Sequence, residues 1–435
     1  MVMLIFLLLL LTLVFPYLRI MVAGAPIYFA YPVVFLLILT IPKRIHYVGA
    51  VMSRMRVWFW LFLLAILLSM AHQMLRVRGP RFSIYAMLQR YLTILALPAL
   101  IGIWAVKRGL FRKTVSIWSV LIAVVAIWAI LQVILPDVMD TVDRIYYFKL
   151  ARITATEELQ GRAEYATSRG IAGAWNANVA GPILLISFPV LFAGLHTRRL
   201  RTVLMMLVVL GGIVATGSRQ SMIGLVWVFL VLLWPERRRL RALTHVRWAV
   251  PVFLGTVALG VTMAVVFGFG SAQLARLSLD RLWSGVLARW DNYSVFVSVA
   301  VRSPVRLILG GGPDAAAVAG RVGNWAWGQG YVSNSWLLLI FDFGVLGFAG
   351  FLGMFLAAWR TCGARWIRAS LAALAWVMMC DNAMHATYFC QAMVSLCLAM
   401  AIFVGFEVRE QLEAEPLAMD DLYDEPPTPL GWSPT

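Results

Sequence analysis

The stretch YVSNSWLLLIFDFGVLGFAGFLG (Tyr331 to Gly353) places a polar Ser-Asn-Ser group directly before a long apolar run. A helix needs roughly 20 apolar residues to cross the hydrocarbon core of a bilayer, and this run is close to that length. The stretch therefore predicts a membrane span that begins near Asn334. The run also contains one acid, Asp342, and a carboxylate inside a span needs a partner, so we expect it to contact an arginine or backbone groups.

Apolar runs of this kind recur along most of the chain. Hydrophobic residues make up 62% of the sequence, charged residues only 13%, and the mean hydropathy is +0.84. This composition excludes an ordinary soluble domain and predicts an all-α, polytopic integral membrane protein. We expect about twelve transmembrane helices, which begin near Val2, Ala25, Val57, Ser83, Val115, Asn176, Thr202, Gln220, Trp248, Asn334, Trp366 and Phe389.

Basic residues alternate from loop to loop in a way that predicts the orientation. With the N-terminus in the cytoplasm, every second loop is basic, as the positive-inside rule requires, and the Arg237 to Arg241 cluster is cytoplasmic. We interpret the first apolar stretch as a retained span and not as a signal peptide, because no basic segment precedes it. Residues 1–407 then form the membrane domain. Residues 408–435 form an acidic, Pro-rich cytoplasmic tail with the composition of a disordered segment.

The formal net charge of +17 indicates contact with anionic membrane lipids and not with nucleic acid, because most of the surplus lies in cytoplasmic loops. The sequence has no Walker loop, no CxxC pair and no DxD-type carboxylate pair. These absences favour a function without ATP or another nucleotide.

Two external segments are long enough to carry function, residues 136–175 and 270–333. In the second, apolar residues from Leu282 to Val299 recur at helical intervals and predict amphipathic helices on the membrane surface. The segment continues into a Gly-rich turn at Gly310 to Gly312. That turn is interpreted as a flexible connection in preference to a phosphate-binding loop.

Several arginines break the positive-inside rule, and we expect them to have anionic partners. They are Arg76, Arg78, Arg81 and Arg219 in short external loops, Arg90 in a span, and Arg169, Arg281 and Arg289 in the two long segments. In the stretch ATGSRQSMIGL (Ala215 to Leu225), Thr216, Ser218 and Ser221 surround Arg219. This grouping predicts a compact polar anion site between two spans.

Four motifs in order resemble the family of O-antigen ligases and Wzy-type polysaccharide polymerases. TGSRQSMIGL is similar to that family's Gly-Ser-Arg helix start, and RGIAGAWNANVAGP to its Arg-Gly followed by Asn-x-Asn at a span entrance, with Asn178 as the second asparagine. VLARWDNYSVFVSVAVRSPVRLILGGGPD resembles its Arg-Trp helix before a Gly-rich turn. SNSWLLLIFDFGVLG resembles its His-Asn-x-Tyr segment, with Ser333 in the His position and Asn334 matching.

The resemblance implies a metal-independent, GT-C-like glycosyltransferase in the bacterial inner membrane, with its active site facing the periplasm and no cofactor. Its donor would be a glycan on undecaprenyl pyrophosphate, and its acceptor a lipid-linked repeat unit. Chain-length regulators and export proteins would be its partners. Displacement at the anomeric carbon releases a pyrophosphate dianion, which guanidinium groups can stabilise. Arg219 and Arg289 are the predicted clamps. The predicted substrate-binding residues are Arg169, Asn178, Ser218, Arg281, Ser333, Asn334, Arg76, Arg78 and Arg81.

Ser333 departs from the family pattern, because serine is too weak a base to replace the family's histidine. Asp291, Glu164 and His385 are the candidates for that role, and Asp381 lies one helical turn before His385. The missing histidine favours a polymerase, for an exopolysaccharide of the xanthan type or an O-antigen, over an O-antigen ligase. A flippase or transporter of lipid-linked oligosaccharides stays open, although it would not need the long external segments.

Overall fold

The computed structural model describes residues 30–42, 45–53, 55–76, 96–145, 177–194, 199–233, 303–312, 334–380 and 388–414, two short strands, and several single positions. Those single positions are residues 11, 94, 170, 172, 287, 290, 293, 294, 297, 298 and 301. The helices are α1 (Ala30–Ile38), α2 (Ile45–Val51), α3 (Arg56–Arg76), α4 (Ala96–Val106), α5 (Arg108–Ile134), α6 (Pro136–Arg144), α7 (Ala177–Ser187), α8 (Arg199–Thr216), α9 (Arg219–Leu233), α10 (Pro304–Leu309), α11 (Ser335–Thr361), α12 (Arg365–Cys380) and α13 (Tyr388–Ala414).

Among the described residues, three helices are long and apolar enough by length and composition to cross a membrane, over Arg56–Leu75, Gly109–Ile134 and Ser335–Thr361, although the last of them is broken at Gly344. Helix α3 shows the arrangement that such helices need. Trp60 and Leu67 are 60% and 62% exposed, whereas Phe62 and Ile66 are buried against the bundle. A helix that presents large apolar side chains outward is suited to lipid and not to water. These apolar helices indicate a membrane protein.

In the described part of the chain, several shorter apolar helices accompany these three, so the spans predicted there do not all appear as long helices. The predicted helix starts agree with the structure better than the predicted helix lengths do. Seven predicted starts, from Val57 to Phe389, lie within three residues of an observed helix start. The predicted start at Val115 is late, because α5 begins at Arg108. The predicted starts at Val2, Ser83 and Trp248 lie outside the described residues.

The predicted span from Ala25 is wrong at its beginning. Strand β1 (Arg19–Val22) and strand β2 (Ala25–Tyr28) form an antiparallel hairpin in which Val22 pairs with Ala25, and α1 begins only at Ala30. The strands are joined by two residues, Ala23 and Gly24, which is a common length for a hairpin connection. Apolar composition alone could not distinguish this hairpin from the start of a helix.

Small residues let the helices of the bundle pack closely. A Cβ on Gly350 of α11 would lie 2.7 Å from the Phe62 backbone nitrogen in α3, and one on Gly212 of α8 would lie 2.7 Å from the Ala126 side chain in α5. Such close approach is typical of helix packing in membranes. The indole Nε1 of Trp118 in α5 donates to Ser187 Oγ of α7 at 2.9 Å. A buried polar bond therefore also ties α7 to the core.

Helix α11 is broken at Gly344, where φ is 69° and ψ is −172°. In a straight helix residues 336 and 355 would lie about 28 Å apart. The ring centroids of Trp336 and Phe355 are only 5.9 Å apart, and those of Trp336 and Phe351 are 5.7 Å apart. The two arms therefore fold back on each other in a sharp V. Asn334, predicted to lie at the mouth of one continuous span, begins the short arm and lies beside the middle of the long arm.

The Gly-rich turn after α10 fills the break. Because α11 stops being helical at Gly344, the carbonyls of Phe341 and Asp342 accept bonds from outside the helix, from the amides of Gly311 (2.9 Å) and Gly312 (3.0 Å). The hydroxyl of Ser69 in α3 also donates to the Asp342 carbonyl. The turn is therefore an anchored wedge, which differs from the flexible connection expected from the sequence.

Candidate functional site

The candidate site is centred on the start of α9, where Arg219 is the first helical residue. Gly217 has a φ of 57°, which lets the chain turn sharply from α8 into α9. Ser218 precedes the helix, its carbonyl accepts the Met222 amide at 3.0 Å, and its Oγ accepts the Ser221 hydroxyl at 3.0 Å. The predicted polar grouping around Arg219 is therefore present, with Ser218 and Ser221 buried and Arg219 half-buried.

Gln220 joins this helix start to Asn178, the predicted substrate-binding asparagine of α7. Pro182 lies four residues after Asn178 and has no amide hydrogen, so the Asn178 carbonyl lacks its usual partner within the helix. The side-chain Nε2 of Gln220 donates to that carbonyl at 2.9 Å. The Asn178 residue is itself exposed. Two of the motifs that carry the family resemblance thus meet at this bond.

Helix α12 connects the site to the Asn334 motif. The indole Nε1 of Trp376 donates to the Gln220 carbonyl at 2.7 Å, and the indole Nε1 of Trp336 donates to the carbonyl of Ala375 at 3.3 Å. Because Ala375 and Trp376 are adjacent, the starts of α9 and α11 lie on two sides of the same turn of α12. Asn334 is 8% exposed, and its Oδ1 accepts the Leu337 amide at 3.1 Å, so it is a helix cap.

The segment of residues 136–175, predicted to be external, reaches the same place through Gly170. Its amide donates to the Ala215 carbonyl at 2.9 Å, a group that is left free by the end of α8. Two residues later, the Ala172 amide donates to Oε1 of Gln132 in α5 at 2.7 Å. The residue before Gly170 is Arg169, a predicted ligand of the pyrophosphate.

Gln132 is held in turn by Asp143 of α6. Nε2 of Gln132 donates to one carboxylate oxygen of Asp143 at 2.8 Å, and Nε1 of Trp128 donates to the other at 2.9 Å. Burial raises the pKa of Asp143 from 3.8 to about 6, although the two hydrogen bonds oppose that rise; the nearby Asp140 adds to it. The carboxyl group therefore changes its charge close to physiological pH.

Tyr293, in the second segment predicted to be external, also approaches α12. The hydroxyl of Tyr293 donates to the Met379 carbonyl at 3.4 Å, one turn beyond Trp376. The described positions between 287 and 301 are all helical, as predicted, and Leu287, Trp290 and Val301 are exposed apolar residues among them. Their location at a membrane surface stays a prediction.

Most of the residues predicted for the site lie outside the described part of the chain, but Arg76 is described. Arg76 is the last residue of α3. The predicted site residues outside the described part are Arg78, Arg81, Arg169, Arg281, Arg289, Asp291, Ser333 and His385. Glu164, Arg90 and Asp381 also lie outside it. The described part of the site consequently contains Arg219, Ser218, Asn178 and Asn334 from the predicted set.

Three residues that build the site were not predicted from the sequence: Gln220, Gln132 and Trp376. Gln132 carried a usable signal, because an amide within an apolar span needs a partner. Gln220 directly follows Arg219, but its side chain acts on a carbonyl that only Pro182 makes available. No periodicity predicts the bond of Trp376, since it joins α12 to a helix distant in sequence.

His72 of α3 is a fourth residue that the sequence analysis did not consider. Its Nδ1 donates to the Gly310 carbonyl at 3.0 Å, and Nε2 is buried with no hydrogen-bond partner in the described part of the chain. With the hydrogen on Nδ1, a neutral ring carries a lone pair on Nε2, as a proton acceptor requires. The amides of the neighbouring Gly310, Gly311 and Gly312 all bond to protein carbonyls, so this turn does not offer them to a phosphate.

No protein-family model matches this chain, and a search of curated proteins likewise finds no match.

Proposed function

We propose that the protein is a polysaccharide polymerase that transfers a glycan from undecaprenyl pyrophosphate to a lipid-linked repeat unit at the periplasmic face of the inner membrane. The observation that carries the proposal is the convergence of separate motifs on one polar site. The segments of Gly170, Asn178 and Arg219 meet directly, and Trp336, two residues after Asn334, reaches the same turn of α12.

The start of α9 suits the leaving group of this reaction. A helix N-terminus carries partial positive charge, and a guanidinium there adds a full charge with a planar set of donors. In the transfer, an acceptor hydroxyl attacks the anomeric carbon and the bond from that carbon to the pyrophosphate oxygen breaks. The electron pair leaves with the lipid pyrophosphate, whose developing charge Arg219 would stabilise.

The test is polymer formation by purified protein supplied with lipid-linked repeat units as both donor and acceptor. Arg219→Ala should reduce turnover about 100-fold or more, and Arg219→Lys should restore only part of it because lysine lacks the planar fork. Arg201→Ala is the matched control, since Arg201 is an exposed arginine near the opposite end of α8. Its activity should equal that of the unmodified protein.

Two results would contradict the proposal. The first is that the unmodified protein makes no polymer from these substrates, as expected of a ligase or a transporter. The second is full activity in Arg219→Ala, which would show that Arg219 does not stabilise the pyrophosphate even though the protein is a polymerase. The proton acceptor is assigned by the same assay, with Asp291→Asn, His385→Gln and His72→Gln compared; the largest loss, with a changed pH profile, identifies it.

A further inference from the structure

Two buried polar residues, Gln132 of α5 and Asp143 of α6, form a chain of hydrogen bonds that ends on the backbone at Ala172. Asp143 is 2% exposed and Gln132 is 3% exposed. Asp143 accepts from Nε2 of Gln132, which leaves Oε1 of Gln132 directed at the Ala172 amide. Because the carboxylate can only accept, it fixes which end of the Gln132 amide faces Ala172.

The backbone that this chain holds is in an unusual conformation. Ala172 has a φ of 42°, in the left-handed region that residues with a Cβ rarely adopt. Gly170 lies so close to α5 that a Cβ there would overlap the Ala129 backbone. Its amide is fixed to α8 at Ala215. The Gly170 to Ala172 backbone is thus attached on one side to α5 and on the other to the helix that leads into Arg219.

We infer that Gln132 and Asp143 are positioning residues that fix the backbone at Gly170 and Ala172 against the end of α8, next to the start of α9. This inference rests on the proposed function, because Arg169, which directly precedes Gly170 in the sequence, is predicted to bind the lipid pyrophosphate. Both residues would act through this backbone and not by contact with the substrate.

The connection is sensitive to pH. Asp143 titrates at about 6, and its protonation replaces a charge-assisted hydrogen bond to Gln132 with a weaker one. The charged group that faces Asp143 among the described residues is Asp140 on α6; α5 contributes the uncharged Trp128 and Gln132, and Gly170 and Ala172 contribute backbone only. Acidification through pH 6 therefore loosens the attachment of Ala172.

The test exploits the direction of the hydrogen bonds. Gln132→Met keeps the side-chain length and removes both bonds, so we expect kcat/KM to fall about tenfold. Gln132→Glu places two carboxylates together and should be similarly impaired at pH 7.5. The double variant Asp143→Asn with Gln132→Glu restores the chain in reverse, since the introduced asparagine amide can donate to the new carboxylate, which still accepts from Ala172. Its kcat/KM should return to within about twofold of the unmodified protein.

Trp128→Phe is the control, because it removes the other donor to Asp143 and leaves the bond to Ala172 in place. Its kcat/KM should change less than about twofold. In the unmodified protein, activity should fall as the pH drops through about 6. The part of this acid limb that depends on Asp143 should be absent from Gln132→Met, whereas the part that the proton acceptor causes should remain.

Amide hydrogen exchange at Ala172 separates failure of this inference from failure of the proposed function. The exchange should be faster in Gln132→Met than in the unmodified protein, whether or not the protein makes polymer. Unchanged exchange would overturn the connection. Faster exchange with unchanged kcat/KM and an unchanged acid limb, or no rescue by the double variant, would overturn the positioning role.

Discussion

Replacing Gly344 with alanine should destabilise the protein more than any exposed glycine replacement, because it disturbs the break in α11. A φ of 69° with ψ of −172° is a conformation that is nearly exclusive to glycine, and forcing another residue into it costs about 1–3 kcal/mol. The new Cβ would also overlap the Ile308 carbonyl and lie 2.7 Å from the Gly310 nitrogen. Overpacking against backbone adds about 1–3 kcal/mol. Together we expect a loss of about 2–6 kcal/mol in the free energy of unfolding.

The measurement is the thermal unfolding midpoint of the purified protein in detergent, followed by circular dichroism. Gly109→Ala is the matched control, since Gly109 lies in α5 and a Cβ there meets nothing within 4 Å. That variant should unfold at the same temperature as the unmodified protein or slightly higher. If Gly344→Ala unfolds together with Gly109→Ala, the wedge of the Gly-rich turn in α11 does not exist as described.

Two further predictions concern the site and its surroundings. Gly181→Ala adds a Cβ 2.5 Å from Ser221 Oγ and 2.6 Å from Ser218 Cβ, so it should push α7 from α9, cost about 1–3 kcal/mol and lower polymer formation; activity equal to that of Gly109→Ala would contradict this. Because the pKa of Asp143 is about 6 in the folded protein against 3.8 ordinarily, the native state binds that proton more readily, and stability should rise as the pH falls from about 6 to 4. The pKa difference corresponds to a change of about 3 kcal/mol in the free energy of unfolding between high and low pH, and Asp143→Asn should abolish this pH dependence. If Asp143→Asn changes the free energy of unfolding equally at pH 4 and pH 7.5, the prediction is wrong.

Helix starts were predictable because polar and small residues that interrupt apolar runs mark them locally. The Ser-Asn-Ser group before Trp336 predicted a helix that begins near Asn334, and Asn334 caps α11. The polar grouping around Arg219 was likewise visible, since Ser218 and Ser221 are its close neighbours in sequence. A local pattern fails where the same apolar composition is compatible with both a helix and a strand. This is why the second strand of the hairpin, from Ala25, was predicted as the start of a helix.

The sequence by itself determined that this chain folds as apolar helices, where most of the described helices begin, and that polar residues gather around Arg219. Only the tertiary structure decided that α11 folds back at Gly344 and that Gln220, Trp376 and Gln132 connect the site. Each of these bonds uses a backbone carbonyl or amide on a helix or segment distant in sequence. Hydropathy and spacing describe one element at a time, whereas a free backbone group selects its partner from whatever the packing of the bundle brings within about 3 Å.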